Sequence, residues 1–130
     1  MSVLKIHLTY RCSAACDHCR FACRPEPSAV IDAGVALDTA RELQRLNGLQ
    51  RVVLMGGEPG LFPDLTHHLA LRLAEMGMAV RVETNACWAV DDAAAMAFLG
   101  PLFDAHVSMM FSLDAFHEPY VPPERVARAV

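Results

Sequence analysis

Short apolar segments alternate with longer amphipathic segments four times along this chain of 130 residues. Each apolar segment has the length of a strand, and each segment after it has the periodicity and the end signals of a helix. Since strands that are joined through a helix run parallel, this order predicts an α/β fold in which helices cover a parallel sheet. The strands are predicted over residues 3–9, 51–55, 78–84 and 106–113.

Signals at the ends of the predicted helices give their limits. Thr39 and Glu42 fit a capping box for the first helix, and Gly48 fits its C-terminal stop. Gly100 and Pro101 are expected to end the third helix, because proline removes a backbone donor and clashes with the preceding turn. The helices are predicted over residues 38–47, 63–76 and 91–99, with a fourth that opens at Pro122 and Pro123.

Polar residues stand at every second position in three of the predicted strands. Side chains two residues apart point to the same side of a strand, so one face of the sheet is predicted to be polar. A polar concave face is typical of a barrel with a wet or ligand-filled interior, and a flat sheet with a solvated face is the alternative. The polar positions are Lys5, His7 and Thr9, then Arg81, Glu83 and Asn85, and then Ser108, Ser112 and Asp114, with the apolar Met110 between the two serines.

The charge and the hydropathy pattern exclude several kinds of protein. With 11 Lys and Arg against 15 Asp and Glu, the net charge is -4, which argues against nucleic acid as a partner. The apolar segments are far shorter than the ~20 residues that span a bilayer, so no membrane partner is expected. Lys5 and His7 interrupt the first apolar segment, which therefore does not resemble a signal peptide. We expect a cytoplasmic protein whose residues 1–130 form one domain.

Four of the five cysteines lie close together, between Cys12 and Cys23. They fall in a segment over residues 10–36 that is predicted to be an irregular loop, directly after the first strand. A secreted disulfide framework normally uses an even and spread-out set, so this cluster points to metal or redox chemistry in a reducing compartment. Its core is a C-x3-C-x2-C motif formed by Cys12, Cys16 and Cys19.

This motif is compatible with two kinds of metal centre. Three thiolates around a cubane iron–sulfur cluster leave one of its irons without a protein ligand, and a small molecule can bind there. Structural zinc instead needs four ligands in a closed tetrahedron. Cys23, His18 or His7 could supply the fourth ligand.

Further polar features follow the other predicted strands. Two consecutive glycines, Gly56 and Gly57, allow a backbone to approach a ligand closely, and Glu58 can accept a hydrogen bond from an ammonium group. A tight turn before the second helix is the alternative. Because parallel strands end at one edge of a sheet, we expect these features to meet at one site. They are Gly56-Gly57-Glu58-Pro59 after the second strand, Thr84-Asn85 after the third, and Ser112 and Asp114 after the fourth.

On the cysteine motif, the Gly-Gly-Glu-Pro segment and their placement after strands, the sequence resembles the radical SAM (S-adenosylmethionine) superfamily over nearly its whole length. The resemblance implies a partial TIM barrel of the (βα)6 type, with the first four βα units present in this chain. About two further units are expected to complete the barrel. The implied activity is reductive cleavage of SAM by a [4Fe–4S] cluster to a 5′-deoxyadenosyl radical, which takes hydrogen from an unidentified substrate. A peptide is the substrate class that family frequency favours, and flavodoxin or ferredoxin is the kind of electron donor.

The resemblance also implies ligands for the cluster and for the methionine part of SAM. Cys12, Cys16 and Cys19 would ligate three irons, and the SAM amino and carboxylate groups would chelate the fourth. The segment that would hold the SAM amino group is Gly56, Gly57, Glu58 and Pro59.

Further positions match the family's contacts to the rest of SAM. Thr84 and Asn85 would lie near its carboxylate, and Ser112 and Asp114 would approach its ribose. His18 stands where relatives have an aromatic residue beside adenine, and its flat ring can pack there.

Two other functional classes remain open on the sequence. One is a non-catalytic iron–sulfur module for electron transfer or sensing, and the other is a zinc-stabilised binding domain. The sequence assigns no role to Cys23, Cys87, His117 or Glu118.

Overall fold

The computed structural model describes residues 2–130 and contains a four-stranded parallel sheet with the strand order β1-β2-β3-β4. The predicted α/β class is therefore confirmed, and the strands occur in the sheet in the same order as in the chain. None of the helices in the described range is long and apolar enough to cross a membrane. The strands are β1 (Val3–His7), β2 (Arg51–Met55), β3 (Ala79–Thr84) and β4 (Ser108–Phe111). The α-helices are α1 (Ala33–Asn47), α2 (Pro63–Glu75), α3 (Asp92–Asp104) and α4 (Pro123–Ala129), and a single 3-10 turn covers Pro59–Leu61.

The helices cover one face of the sheet, and the hydrophobic core lies between the helices and that face. Ile6, Leu54 and Val82 point into this core from three neighbouring strands, and each is at most 5% exposed. Leu69 and Leu73 of α2 pack against them and are fully buried. Burying a leucine of this kind contributes roughly 1.5–3 kcal/mol, so the apolar face accounts for much of the stability of the fold.

The opposite face of the sheet is polar and open, as the alternation of residues predicts. Lys5, Arg81 and Ser108 are all exposed on it. Thr9 and Asn85 are exceptions to the predicted polar face, since they are 2% and 3% exposed. Both lie beyond the ends of their strands, where the chain turns over the edge of the sheet and the alternation of faces no longer holds.

Two strands, β1 and β4, are at least two residues shorter than predicted. β1 ends at His7, and Thr9 instead forms an isolated antiparallel bridge with Val30, where the cysteine loop returns to the sheet. β4 covers only Ser108–Phe111, although the Ser112 amide still donates to the Thr84 carbonyl at 2.9 Å. In both cases the chain leaves the sheet at the carboxyl edge, where the loops begin.

The prediction for the start of α1 is wrong. The helix begins at residue 33 rather than 38, because Asp32 acts as its N-cap and accepts a hydrogen bond from the Val35 amide at 2.9 Å. Thr39 and Glu42 therefore lie inside the helix and form no capping box. Ala36 is buried one turn before Thr39, so the earlier turn has its own contact with the core.

The prediction for the end of α3 is also wrong. The helix continues through Gly100 and Pro101 to residue 104, and the Ala105 amide donates to the Pro101 carbonyl at 3.3 Å. Leu102 is fully buried beyond the proline, and Leu99 before it is 5% exposed. The apolar stripe thus continues past Pro101, and its burial outweighs the backbone hydrogen bond that proline removes.

Replacing Leu102 by alanine should destabilise the protein strongly, because it leaves a cavity in the core. Leucine-to-alanine changes at buried positions cost about 2–5 kcal/mol, measurable as the free energy of unfolding in urea. Phe103→Ala is the matched control, since Phe103 is 53% exposed on the same turn and should lose little. Equal losses in the two variants would show that α3 does not present this face to the core beyond Pro101.

Candidate active site

A cleft of about 280 Å³ opens at the carboxyl edge of the sheet. The loops after all four strands contribute to its lining, so the predicted meeting of these segments at one edge is observed. Pro59 is buried beside the cleft, and Asp114 lies exposed nearby. The predicted site residues that line the cleft are Cys12, Cys16, His18, Cys19, Gly56, Gly57, Glu58, Thr84, Asn85 and Ser112.

A buried carboxylate fastens the end of β2 to the end of β3. Glu58 is 1% exposed, and its Oε1 accepts hydrogen bonds from the Gly60 amide at 2.7 Å and the Thr84 hydroxyl at 2.5 Å. Its Oε2 accepts a hydrogen bond from the Asn85 amide at 2.8 Å. Burial raises the pKa of Glu58, and the three donors oppose that shift. Since a carboxylate has about four acceptor positions, Glu58 retains capacity for one more donor from the cleft.

The Thr84 hydroxyl is fully occupied by protein partners. It donates to Glu58 and accepts from the Trp88 indole Nε1 at 2.9 Å and the Ala86 amide at 3.1 Å. A hydroxyl offers one donor and two acceptor positions, so all of them are used. Trp88 also stacks on Phe98 with ring centroids 4.2 Å apart. Thr84 therefore holds Glu58 in place and connects it to the aromatic packing under the edge.

Asn85 connects β3 to the cysteine loop. Its Nδ2 donates to the Ser13 hydroxyl at 3.0 Å, and its Oδ1 accepts from the Cys87 amide at 3.0 Å. The same Nδ2 lies 3.8 Å from the Cys12 sulfur. Sequence reasoning missed Ser13, because nothing in the C-x3-C-x2-C spacing distinguishes the residue after the first cysteine.

The two glycines are required by the packing of the protein itself. Gly57 has a φ of 51°, and a Cβ there would lie 1.9 Å from the Arg11 carbonyl oxygen. A Cβ on Gly56 would lie 2.5 Å from the His7 ring. The Gly57 amide donates to the Cys23 sulfur at 3.3 Å. Close approach of a ligand is thus not the sole reason for glycine here, since His7 of β1 and Arg11 of the cysteine loop already occupy the space.

The three cysteines of the motif line the cleft, and their thiols differ in pKa. Burial raises the pKa of Cys12 to about 11, and burial also raises the pKa of Cys16. For Cys19, burial is the largest single effect and opposes ionisation, but hydrogen bonds from the backbone of Cys23 and Phe21 prevail and lower its pKa. A metal that binds these thiols must therefore displace protons from Cys12 and Cys16.

Asp114, His18 and His117 form a polar cluster at the outer end of the site. The Asp114 Oδ2 lies 2.9 Å from the His117 Nδ1 and 3.6 Å from the His18 Nε2. The hydrogen bond with His117 lowers the pKa of Asp114. His18 stacks on Phe116, with ring centroids 4.4 Å apart, and the Tyr120 hydroxyl donates at 3.1 Å to a carbonyl of the cysteine loop. Phe116 and Tyr120 were missed, since loop aromatics carry no periodic signal.

These features define an α/β enzyme core with a thiol-lined site at the carboxyl edge of its sheet. The model of the Radical SAM superfamily matches residues 6–129, and the chain belongs to this superfamily. The cofactors of the superfamily are a [4Fe–4S] cluster and S-adenosylmethionine.

Two similar proteins support this family and fold. The "Putative peptide biosynthesis protein YydG" of Bacillus subtilis (strain 168) is 22% identical over 119 residues, which are 91% of this chain and 37% of that protein. The crystal structure of Streptococcus suis SuiB bound to S-adenosylmethionine matches with a TM-score of 0.74 and 18% identity. That match covers 97% of this chain and 30% of SuiB, so the chain spans about a third of the length of either protein.

Replacing Glu58 by glutamine should destabilise the fold by about 2 kcal/mol. In the variant, the amide NH2 group would face hydrogen-bond donors that face a carboxylate oxygen in the native protein. The free energy of unfolding in urea measures this effect. Glu75→Gln is the matched control, since Glu75 is exposed on α2 and pairs with Arg72. A loss for Glu58→Gln no larger than for Glu75→Gln would contradict the role of Glu58 in joining the two strand ends.

Alkylation should distinguish the thiols of the cluster-free protein. At about pH 8, a thiol with a pKa near 11 is roughly one-thousandth thiolate, so Cys12 should react slowly with iodoacetamide. Burial raises the pKa of Cys87 to about 12, and it should react more slowly still. Cys19 should react first, and peptide mass spectrometry over time gives the order. Alkylation of Cys12 or Cys87 at the rate of Cys19 would contradict the described environments.

Proposed function

We propose that this chain is the cofactor-binding core of an enzyme that cleaves SAM reductively and uses the resulting radical on a substrate. The observation that carries this proposal is the single cleft, in which the thiols of Cys12, Cys16 and Cys19 face the Gly56-Gly57-Glu58 segment. Asn85 joins the loops that bear these groups, because its amide donates to Glu58 and its side chain donates to Ser13 of the cysteine loop.

The donor set fits an iron–sulfur cluster better than a single zinc ion. Zinc holds thiolates in a tetrahedron with sulfurs less than about 4 Å apart. Among residues 2–130, His18, Asp114 and His117 form the one group of three possible ligands whose atoms all lie within 4.8 Å of one another, and no three cysteines meet this condition. The three thiols of the motif instead line an open cleft, which suits a cluster that leaves one iron free for a small molecule.

The chain's own residues would hold the cluster and SAM. Cys12, Cys16 and Cys19 would each ligate one iron as thiolates. When bound, a [4Fe–4S] cluster supplies the electron that cleaves SAM to methionine and a 5′-deoxyadenosyl radical, which then removes hydrogen from the substrate. Glu58 would accept a hydrogen bond from the SAM amino group with its remaining acceptor position, beside the half-buried Gly57.

The adenosine end of SAM would lie toward the polar cluster of the fourth loop. His18 would pack beside adenine, supported from behind by Phe116, and Asp114 would accept from a ribose hydroxyl. Ser112 lines the cleft between this cluster and β3. The His117 contact keeps the Asp114 carboxylate ionised, which suits a hydrogen-bond acceptor.

A peptide is the substrate class we propose, and a flavodoxin or ferredoxin is the proposed electron donor. Support for the peptide comes from the similarity to the peptide biosynthesis protein of Bacillus subtilis. This chain spans 37% of the length of that relative.

The ligand assignment predicts a sharp difference between two cysteine variants. After anaerobic reconstitution, the wild-type chain and Cys87→Ala should bind about four irons and four sulfides per chain, and Cys12→Ala should lose most of both. SAM should change the electron paramagnetic resonance spectrum of the reduced cluster, and dithionite with SAM should yield 5′-deoxyadenosine.

Each contrary result has a definite meaning. A full cluster in Cys12→Ala would overturn the ligand assignment. A full wild-type cluster that SAM does not perturb would favour an electron-transfer or sensing module. Zinc without iron or sulfide in anaerobically prepared protein would favour a zinc-stabilised domain.

A further inference from the structure

A second cavity, of about 460 Å³, lies on the open polar face of the sheet. Its polar lining consists of Lys5, Arg51, Arg81, Glu83 and Ser108. Glu83 lines both this cavity and the thiol-lined cleft. The two cavities therefore adjoin at Glu83 on β3.

The strand register places the cations of this cavity around a common floor. Lys5 pairs with Val53, and Val53 pairs with Arg81, so these side chains form one row across three strands. With strands roughly 4.8 Å apart, the backbones of Lys5 and Arg81 lie about 10 Å apart. Arg51 precedes Val53 by two residues on the central strand and points to the same side. Val53 is 7% exposed and forms the apolar floor between the cations.

These cations lack carboxylate partners. None of the ion pairs found among residues 2–130 includes Lys5, Arg51 or Arg81. The side-chain contact of the Arg81 guanidinium is the Met110 sulfur, 3.9 Å away. The one carboxylate in the lining is Glu83, so three cations stand against one anion in a chain whose net charge is -4.

A positive cavity in an acidic chain attracts an anionic ligand and rejects a cationic one. Three cations around an apolar floor are too few for a nucleic-acid backbone, which uses many phosphate contacts. Exposed Val3 and Met110 border the same face and offer apolar contact to a side chain. The combination suits a carboxylate on a chain that also has apolar groups.

We propose that this cavity binds an acidic side chain of the peptide substrate, an inference that rests on the proposed function. The substrate would run along β3, with its carboxylate between Lys5, Arg51 and Arg81 and its reacting residue at the cleft beyond Glu83. Arg81 and Glu83 are two residues apart, about 7 Å along the strand. An extended peptide covers about 3.3 Å per residue, so the acidic residue lies roughly two to four residues from the reacting one.

Peptide binding by the cluster-free chain tests this inference without SAM chemistry. The probe is a fluorescein-labelled hexapeptide with two aspartates, followed by anisotropy, against the same peptide with two asparagines. The wild-type chain should prefer the aspartate peptide, and the preference should fall as salt rises. Arg81→Gln should weaken binding about threefold, and Lys5→Gln/Arg51→Gln/Arg81→Gln at least tenfold. Arg81→Lys should restore most of the affinity because it keeps the charge.

The control removes the same number of positive charges from helices α1 and α2. Arg41→Gln/Arg45→Gln/Arg72→Gln alters exposed cations that already pair with carboxylates, and it should leave peptide affinity unchanged. An equal loss in this control, or equal affinity for the asparagine peptide, would overturn the inference. Tighter binding of a hexauridylate than of the aspartate peptide would overturn it too.

The two proposals can fail separately. Cys12→Ala should lose its cluster and still bind the aspartate peptide, because none of the three cations touches the cysteine loop in the hydrogen bonds and ion pairs described. Peptide binding without any SAM cleavage by the wild-type chain would reject the proposed activity alone. SAM cleavage without a preference for the aspartate peptide would reject the cationic site alone.

Discussion

The segments that follow β1, β2 and β3 meet at one residue, Glu58, and the site depends on its buried carboxylate and on its backbone amide. Glu58 is held by donors from its own turn and from the end of β3, and its own amide donates to the Arg11 carbonyl at 2.9 Å in the cysteine loop. An unpaired carboxylate at such burial would be very costly, so the donors must be in place for the chain to fold here. These donors fix the position of Glu58, and its amide in turn fixes Arg11 of the cysteine loop relative to the sheet.

The backbone packing around Gly57 also fixes the loops after β1 and β2 relative to each other. The Arg11 carbonyl occupies the space where a side chain at position 57 would stand. The buried Cys23 sulfur accepts a hydrogen bond from the Gly57 amide. Neither loop can shift without disturbing the other. The thiols of the motif are thus presented to the cleft by contacts that do not involve a metal, and Cys23 contributes to this arrangement as a structural residue.

Much of the fold and of the cleft could be predicted from the sequence. Hydrophobic periodicity predicted the alternation of strands and helices along the chain, and parallel strands end at one edge of a sheet. The convergence of the cysteine motif and Gly56-Gly57-Glu58 could therefore be predicted. Periodicity could not give contacts within irregular loops, which is why Ser13 and Phe116 were missed. The start of α1 and the end of α3 were predicted wrongly because local signals at Thr39 and Pro101 were given more weight than the burial of neighbouring turns.

The two faces of the sheet differ in burial and in the side chains that they present. Residues that point toward the helices, such as Leu54 and Val82, are buried in the core, whereas Lys5 and Arg81 point outward from the same strands. A substitution on the outer face removes little buried apolar area, so it changes what the face can bind at small cost in stability. Natural variation can therefore explore new ligands along this face while the cofactor edge and the core stay as they are.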